Sequence, residues 1–257
     1  MFQKMFPDII GPLYLFFGTM GIFLLLKRKI PGIKTRITFL VISTLLGLTA
    51  FTPMFPVQFQ QLMMGISPGN KPIVAVAAII FLLLLSTLIF GRIFCGYLCP
   101  VGAVSELAYL LKTKKFTGRY GAVISTIRSI AFATLITLAV FWGVSMLDWF
   151  GIHAFFHMNT VSPVFYVFLS ILFVSVFIYR PLCRTICPMG FMMSLISKFN
   201  IFRIQTEKSC TNCTICETKC PTDVPITSRG HNGECYLCFR CADRCIRDSI
   251  VYSSNKE

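Results

Sequence analysis

The sequence predicts an all-α polytopic membrane domain of about five transmembrane helices, followed by a small cysteine-rich C-terminal α+β domain. Three observations support this fold class. The mean hydropathy of the 257-residue chain is +0.74. Only 13% of its residues are charged, against about 25% in soluble domains. Its twelve cysteines lie in four tight groups. We divide the chain into a membrane domain over residues 1–201 and a C-terminal domain over residues 202–257.

Five apolar segments have the length and composition of membrane-spanning helices. A crossing needs roughly 20 apolar residues, because each helical residue advances about 1.5 Å through a hydrocarbon layer of about 30 Å. The first segment does not have the pattern of a secretory signal peptide, since its basic cluster follows the apolar run and no small-residue cleavage site is visible. The five segments are residues 9–26, 37–55, 72–94, 129–147 and 163–179.

The net charge of +14 belongs almost wholly to the apolar part of the chain. Residues 1–201 hold 16 Lys and Arg against 3 Asp and Glu, whereas residues 202–257 hold 8 against 7. Because the basic residues flank apolar runs, membrane topology explains them better than nucleic-acid binding does. The positive-inside rule predicts a multi-pass protein of the cytoplasmic membrane, with the N-terminus outside and the C-terminus cytoplasmic. The inner basic residues are Lys27, Arg28, Lys29, Lys34, Arg36, Lys112, Lys114, Lys115, Arg119, Arg128, Arg180, Arg184 and Lys198, against Lys4 and Lys71 outside.

An internal repeat lies within the membrane domain, because residues 91–107 match residues 179–195 at an offset of 88. Each copy carries C-x-x-x-C-P-x-G after a span that runs from outside to inside, so the chain contains two parallel hairpins. Cysteines four residues apart share one face of a helix. Two such pairs offer four thiolates to an iron–sulfur centre or to zinc. This would be a third centre beside the two assigned below to the C-terminal cysteines. The alternative is that the four cysteines are small buried residues at helix ends. The four are Cys95, Cys99, Cys183 and Cys187, in motifs at 95–100 and 183–188.

Several other polar residues of the membrane domain have two readings each. Arg92 and Arg180 are expected to snorkel to the inner interface, or to stabilise a negatively charged cluster beside them. Glu106 is expected to pair with a nearby Lys or Arg, the alternative being a role towards a quinone. On the outer side, His153 and His157 would share a helix face. Proton transfer, haem ligation or metal binding would each use this pair. The sequence favours another interpretation, an interfacial stretch anchored by Trp149, Phe155 and Phe156.

Two cysteine runs with C-x2-C-x2-C-x3-C spacing occupy residues 210–220 and 235–245. This is the spacing of two-cluster bacterial ferredoxins, in which the fourth cysteine of each run ligates the other cluster. The second run departs from that pattern in one respect, since Ile246 stands where the first run has Pro221. Zinc is the alternative, but zinc sites usually place their ligands in two pairs with a longer gap. We therefore assign one [4Fe–4S] cluster to Cys210, Cys213, Cys216 and Cys245, and the other to Cys235, Cys238, Cys241 and Cys220.

The C-terminal domain is too short, at about 55 residues, to build a large apolar core. Bound clusters would therefore contribute to its folding free energy. We expect Ile226, Ile246, Ile250 and Val251 to pack around the clusters and to shield them from water.

The combination of several spans, duplicated C-x3-C-P motifs and a two-cluster C-terminal run resembles the NapH family of membrane iron–sulfur proteins. The same parts recur in NosR, MauN and CcoG-type proteins, and the resemblance extends from about Phe81 to Ile250. Five predicted spans exceed the four usually drawn for NapH. The resemblance implies an electron-transfer subunit of a quinol dehydrogenase type of oxidoreductase complex. Its expected partners are membrane lipid, other redox subunits and a quinone, without nucleic acid.

A second function class remains open. The similarity to MauN and CcoG also fits a maturation or regulatory factor that supplies electrons for the assembly of another metalloenzyme. A coupled transporter is disfavoured, because the predicted spans hold almost no ionisable residues and coupled transport usually needs them.

Overall fold

The fold is taken from a computed structural model. The structure describes residues 7–28, 30–49, 55–66, 73–111, 121–143, 146–207, 209–226 and 233–254. Edges of three predicted spans, at residues 50–54, 72 and 144–145, lie outside these ranges. So do seven of the basic residues used above for topology, namely Lys4, Lys29, Lys71, Lys112, Lys114, Lys115 and Arg119.

Helices dominate the described residues. The α-helices are α1 (Pro7–Arg28), α2 (Ile33–Thr49), α3 (Phe55–Met63), α4 (Ile73–Phe90), α5 (Pro100–Tyr109), α6 (Gly121–Trp142), α7 (Ile152–Phe156), α8 (Pro163–Phe177), α9 (Pro181–Thr185), α10 (Pro188–Ile196) and α11 (Ile215–Thr218). A π-helical turn covers Phe94–Leu98, and 3₁₀ turns cover Met146–Phe150, Ser197–Phe199 and Ala242–Arg244.

Helices α1, α2, α4, α6 and α8 lie over the five predicted spans. Within the described ranges, the stretches Ile73–Phe90 and Val123–Trp142 are long and apolar enough to cross a membrane, and α8 is apolar but shorter. Large apolar side chains on these helices face outward, among them Phe81, Phe141 and Phe173. A helix that is apolar on all sides needs an apolar surround, so these helices indicate a membrane protein.

The two sequence repeats fold with the same order of elements. In the first repeat the π-helical turn carries Cys95 and α5 starts at Pro100; in the second, α9 carries Cys183 and α10 starts at Pro188. Proline suits the first position of a helix, where its missing N–H would have no partner. The second cysteine of each pair is therefore an extended residue that caps the next helix. The prediction that each pair shares one helix face is wrong.

The C-terminal segment closes on a two-stranded antiparallel sheet of β1 (Phe202–Thr206) and β2 (Ile250–Ser254). These strands bracket both cysteine runs in sequence. The sheet contacts the helices directly, since the hydroxyl of Tyr252 donates to the carbonyl oxygen of Phe90 at 2.7 Å. The C-terminal segment thus packs against the membrane helices and is not a separate appendage.

The apolar residues predicted to surround the cysteines divide into two groups. Ile226 and Ile250 are buried and Val251 is half-buried. Ile246 is 81% exposed, so the prediction that it packs inward is wrong. It follows the last cysteine of the second run, where the chain turns outward before it enters β2.

Candidate metal centres

Four cysteines drawn from both runs line a cavity of about 190 Å³, the first cysteine cavity. The exposed Cys213 places this cavity at the surface of the molecule. The four residues are Cys210, Cys213, Cys216 and Cys245.

The other four cysteines line a tighter cavity of about 20 Å³, the second cysteine cavity. The rest of its wall is mostly apolar and includes the buried Val224, Ile226 and Phe239. The last cysteine of each run therefore stands on the cavity of the other run, which is the division that the spacing predicts. Ligation itself remains a prediction. The four residues are Cys220, Cys235, Cys238 and Cys241.

The two runs repeat their backbone shape as well as their spacing. A non-glycine residue at positive φ is uncommon and costs energy, yet three such positions recur in register at an offset of 25. Residues of this kind in a loop turn successive backbone N–H groups into a concavity that binds anions or iron–sulfur clusters. The positions are Asn212 and Thr214 in the first run with Asp223 just after it, and Leu237 and Phe239 in the second run with Asp248 just after it, with φ between 48° and 58°.

The spacing of the thiols favours a cluster over a single ion. Within the described ranges, no three His, Cys, Asp or Glu side chains lie close enough together to hold one metal ion. Zinc requires its thiolates about 2.3 Å from a single atom, whereas a [4Fe–4S] cluster takes four thiolates on four separate irons. Cysteines arranged around a cavity therefore fit a cluster better than they fit zinc.

Burial changes the acidity of the thiols around the second cysteine cavity. Burial, with the neighbouring Cys220 acting in the same direction, raises the pKa of Cys235 to about 12 and that of Cys238 to about 11. The positive charge of Arg92 lowers the pKa of Cys235, and that of Arg240 lowers the pKa of Cys238. Ligation requires thiolates, so nearby positive charge favours a loaded site.

The structure also gathers the four repeat cysteines in one region. Burial raises the pKa of Cys99, Cys183 and Cys187 to about 12. Neighbouring cysteines act in the same direction as burial, Cys187 and Cys95 on Cys183, and Cys95 and Cys99 on Cys187. The two motifs meet where the repeats join, since Sγ of Cys95 lies 3.1 Å from Sδ of Met193, which follows the second motif.

The repeated arginines cross over to the opposite repeat. Both are 0% exposed. Arg92 donates to the carbonyl oxygen of Gly190 at 3.0 Å, while Arg180 donates to those of Cys95 and of Gly96, the latter at 2.7 Å. The prediction that Arg92 and Arg180 snorkel is wrong, because each guanidinium finds carbonyl acceptors in the other repeat instead of water. The exchange joins the two halves of the membrane domain.

Tyr236 connects the second cysteine run to this junction. Its buried ring centroid lies 4.1 Å from Cζ of Arg92 and 5.2 Å from Cζ of Arg180, which are cation–π distances. Its hydroxyl makes a long hydrogen bond of 3.5 Å to the carbonyl oxygen of Cys183. The backbone of Tyr236 also lies close to Gly96. A Cβ at Gly96 would lie 2.5 Å from the backbone carbonyl oxygen of Tyr236, so the absence of a side chain there permits this approach. One residue thus spans the distance between the second cysteine cavity and the repeat cysteines.

Three further arginines, which the sequence assigned to topology, are buried between the helices and the cysteine runs. Positive-inside counting missed this role, because a basic residue beside an apolar run has the same pattern whether it faces water or a carbonyl. Their partners are the carbonyl of Cys238 for Arg36, the carboxylate of Glu234 for Arg128 and the carbonyl of Pro221 for Arg184.

Four buried arginines keep an Nε–H that has no acceptor among the described residues, namely Arg36, Arg92, Arg128 and Arg184. Leaving such a donor unsatisfied costs about 1–3 kcal/mol. Hydrogen bonds to cluster sulfurs are a known determinant of iron–sulfur potentials. These orphaned donors, Arg92 beside Cys95 and Cys183 in particular, therefore fit a chain that carries clusters.

Glu106 is the acceptor at the centre of a buried network. It pairs with Arg180 and Arg240 and accepts a hydrogen bond of 2.8 Å from the hydroxyl of Tyr179. The prediction that Glu106 pairs with a nearby cation is confirmed. Burial alone would raise its pKa, but the two arginines and Tyr179 hold the pKa below its ordinary value. The ion pair with Glu106 holds Arg180 in its crossing position.

His153 and His157 lie side by side. The ring centroids of His153 and His157 are 4.2 Å apart, and both rings are exposed. Of the neighbouring aromatic residues, Trp149 is 72% exposed whereas Phe156 is buried. Burial and the neighbouring His157 lower the pKa of His153, and Asp148 acts in the opposite direction.

The chain matches a family model described as a 4Fe–4S binding domain over residues 72–117 and 163–204. Both matched ranges contain a C-x3-C-P motif. Among curated relatives, "Uncharacterized protein MJ0750" of Methanocaldococcus jannaschii is 32% identical over 179 residues, which are 65% of this chain and 74% of the relative. No solved structure matches the chain.

Two relatives from Escherichia coli (strain K12) cover more of this chain. "Putative electron transport protein YccM" is 29% identical over 218 residues, 73% of this chain and 59% of the relative. "Ferredoxin-type protein NapH" is 21% identical over 210 residues, 74% of this chain and 72% of the relative. The folded cysteine runs and the family match define a mostly helical iron–sulfur protein with a ferredoxin-type 4Fe–4S domain. The chain belongs to the NapH/NosR/MauN group of ferredoxin-type proteins.

Proposed function

We propose that this protein is a membrane-bound iron–sulfur electron-transfer subunit that passes electrons between the quinone pool and a partner redox protein. One observation carries the proposal: eight cysteines divide four and four around two neighbouring cavities, with the last cysteine of each run exchanged. The names of the relatives YccM, NapH and MauN, as electron-transport or ferredoxin-type proteins, support the same class of function.

Two [4Fe–4S] clusters are assigned to the two cysteine cavities. The first would be held by Cys210, Cys213, Cys216 and Cys245, and the second by Cys235, Cys238, Cys241 and Cys220. When bound, each cluster supplies a one-electron carrier whose potential depends on hydrogen bonds and exposure. The first cavity lies at the surface and suits exchange with a soluble partner. The second lies against the helices and suits exchange with the membrane side.

A third centre is assigned to Cys95, Cys99, Cys183 and Cys187. The 4Fe–4S family model covers both of these motifs and not the C-terminal runs. Electrostatic contact among the four thiols and the orphaned Nε–H of Arg92 support the same assignment. Tyr236, between Arg92 and Arg180, then lies on the direct route from the second cluster to this centre.

The membrane arrangement is proposed to consist of five spans in residues 1–201, with the domain of residues 202–257 in the cytoplasm. Two long apolar helices support membrane insertion, and helices at all five predicted spans support the count. Arg36, Arg128 and Arg184 bind the cysteine runs, so they contribute less to the positive-inside argument than a sequence count suggests. The exposed Lys27 and Arg28 at the end of α1 retain that role.

A quinol should reduce the clusters if this function is correct. The full chain is purified anaerobically in mild detergent, oxidised and mixed with a short-chain quinol analogue. We expect the visible iron–sulfur absorbance to bleach within seconds, as turnover requires, because the second cluster lies against the membrane helices. No bleaching by the quinol, together with full bleaching by dithionite, would contradict the quinone assignment.

A different measurement distinguishes a maturation factor, the alternative, from a working electron-transfer subunit. Such a factor is needed only while its client metalloenzyme is being built. Depleting the chain after the client has matured should leave client activity intact if it is a maturation factor, and should stop electron delivery if it is a working subunit.

A further inference from the structure

A third cavity, the junction cavity, lies where the start of α2, the end of α5 and the cysteine runs meet. Its volume is about 450 Å³, within the range of small-molecule sites. It adjoins both cysteine cavities, since Arg244 also lines the first and Cys238 also lines the second. Its deep end holds the buried Arg36, Tyr97 and Glu106.

The lining of the junction cavity carries an excess of positive charge. Both of its carboxylates are already neutralised, Asp243 by Arg36 and Glu106 by Arg240 together with Arg180. Two more cations, Lys219 and Arg244, stand at the exposed end, and neither forms an ion pair within the described ranges. The cavity mouth therefore attracts a negatively charged group.

One wall of the junction cavity is apolar and continues along a membrane helix. One face of α2 carries Ile33, Ile37 and Leu40 at helical spacing. Leu40 is buried, whereas Ile33 at the helix start is 55% exposed. A ligand at this site would meet cations at one end and an aliphatic stripe at the other.

We propose that the junction cavity binds the phosphate-bearing headgroup of an anionic phospholipid of the inner leaflet. The phosphate would lie between Lys219 and Arg244, and an acyl chain would follow Ile33 and Ile37. Basic pockets beside membrane helices on the cytoplasmic side are typical sites for such headgroups. This inference rests on the membrane placement in the proposed function.

The binding would have a structural consequence for the cysteine runs. Lys219 lies between the third and fourth cysteines of the first run, and Arg244 directly precedes the last cysteine of the second. A phosphate shared by the two side chains would hold both runs against the membrane surface. Free phosphate offers the same charge without the apolar half, and a neutral quinone offers an apolar tail without a charge for Lys219 and Arg244.

The test uses the full chain, purified anaerobically and exchanged into vesicles of phosphatidylcholine with or without phosphatidylglycerol. Lipid retained after detergent extraction is counted by native mass spectrometry. We expect phosphatidylglycerol to be retained selectively, and Lys219→Gln/Arg244→Gln to weaken that retention about 30-fold, since each basic residue contributes about fivefold. The matched control, Lys27→Gln/Arg28→Gln, removes the same charge outside the cavity and should weaken retention much less.

Three results would overturn the lipid site. The first is an equal loss of lipid retention in the two double variants. The second is binding of inorganic phosphate as tight as that of the lipid. The third is displacement of the lipid by a neutral short-chain quinone whose own binding is unchanged in Lys219→Gln/Arg244→Gln. Vesicle flotation separates this outcome from a failure of the proposed function. A chain that floats with neither vesicle contradicts the membrane placement, whereas one that floats without headgroup selectivity contradicts the lipid site alone. Visible cluster absorbance of each variant confirms that it is folded.

Discussion

Replacing Arg180 by methionine should lower by about 10 °C the temperature at which the purified chain loses its iron–sulfur absorbance. The change leaves the buried carboxylate of Glu106 with Arg240 as its one charged partner among the described residues, and it removes the donors to the carbonyls of Cys95 and Gly96. Breaking a buried ion pair from one side costs roughly 3–5 kcal/mol, and each kcal/mol corresponds to about 2–4 °C for a chain of this size. Absorbance at about 400 nm during anaerobic heating measures the effect.

Two matched variants decide whether the buried pair is the cause. Arg28→Met removes an exposed arginine at the end of α1 and should shift the transition by no more than a degree or two. Adding Glu106→Gln to Arg180→Met neutralises the stranded acid and should recover part of the loss. If Arg180→Met behaves like Arg28→Met, the crossed arginines do not hold the repeats together.

Exchange of the fourth cysteines should appear as a pattern of iron loss. Cys245→Ser alone is expected to remove about four irons per chain, because it opens the cluster held by the first run. Adding Cys213→Ser should remove little more, since both residues serve one cluster. Adding Cys238→Ser instead should remove about eight irons in total, since it opens the second cluster as well. Iron content and the electron paramagnetic resonance of the reduced protein measure the pattern.

The reverse pattern would mean uncrossed ligation. In that case Cys245→Ser and Cys238→Ser would act on the same cluster, and Cys245→Ser with Cys213→Ser would remove about eight irons. The control is Cys220→Ser. By the crossed assignment Cys220 and Cys238 serve one cluster, so Cys220→Ser with Cys238→Ser should remove about four irons, whereas Cys220→Ser with Cys213→Ser should remove about eight.

The sequence predicted those features that depend on local spacing. The spacing of the two runs groups Cys245 with the first run and Cys220 with the second, and the two cysteine cavities have the same grouping. Helices lie at all five apolar segments. The break between the cysteines of each C-x3-C-P motif was not predicted. Each pair was expected to share one helix face, whereas the proline after it begins a new helix. Local sequence does not distinguish these outcomes, because proline is compatible with both.

The roles of the arginines could not be predicted from sequence. Arg92 and Arg180 repeat in register, which marked them as significant, but their acceptors are carbonyls of the opposite repeat. Arg36, Arg128 and Arg184 carry no pattern that distinguishes a buried side chain from an interfacial one. Tyr236 was missed for a similar reason, since its importance comes from two guanidiniums that are distant in sequence.

These arginines have a common electrostatic consequence. Clustered thiolates carry net negative charge, and buried cations beside them stabilise the loaded state. The same cations tie the cysteine runs to the helices, so loading of the clusters and docking of the C-terminal segment should strengthen each other.

A count of iron, acid-labile sulfide and zinc per chain, made on the anaerobically purified full-length protein, tests the central claim most directly. Three cubes predict about twelve irons and twelve sulfides per chain with negligible zinc. About eight irons would remove the centre at the repeat cysteines and leave the two ferredoxin clusters. A colourless protein whose thiolates hold zinc, with no paramagnetic signal after dithionite, would contradict the account as a whole.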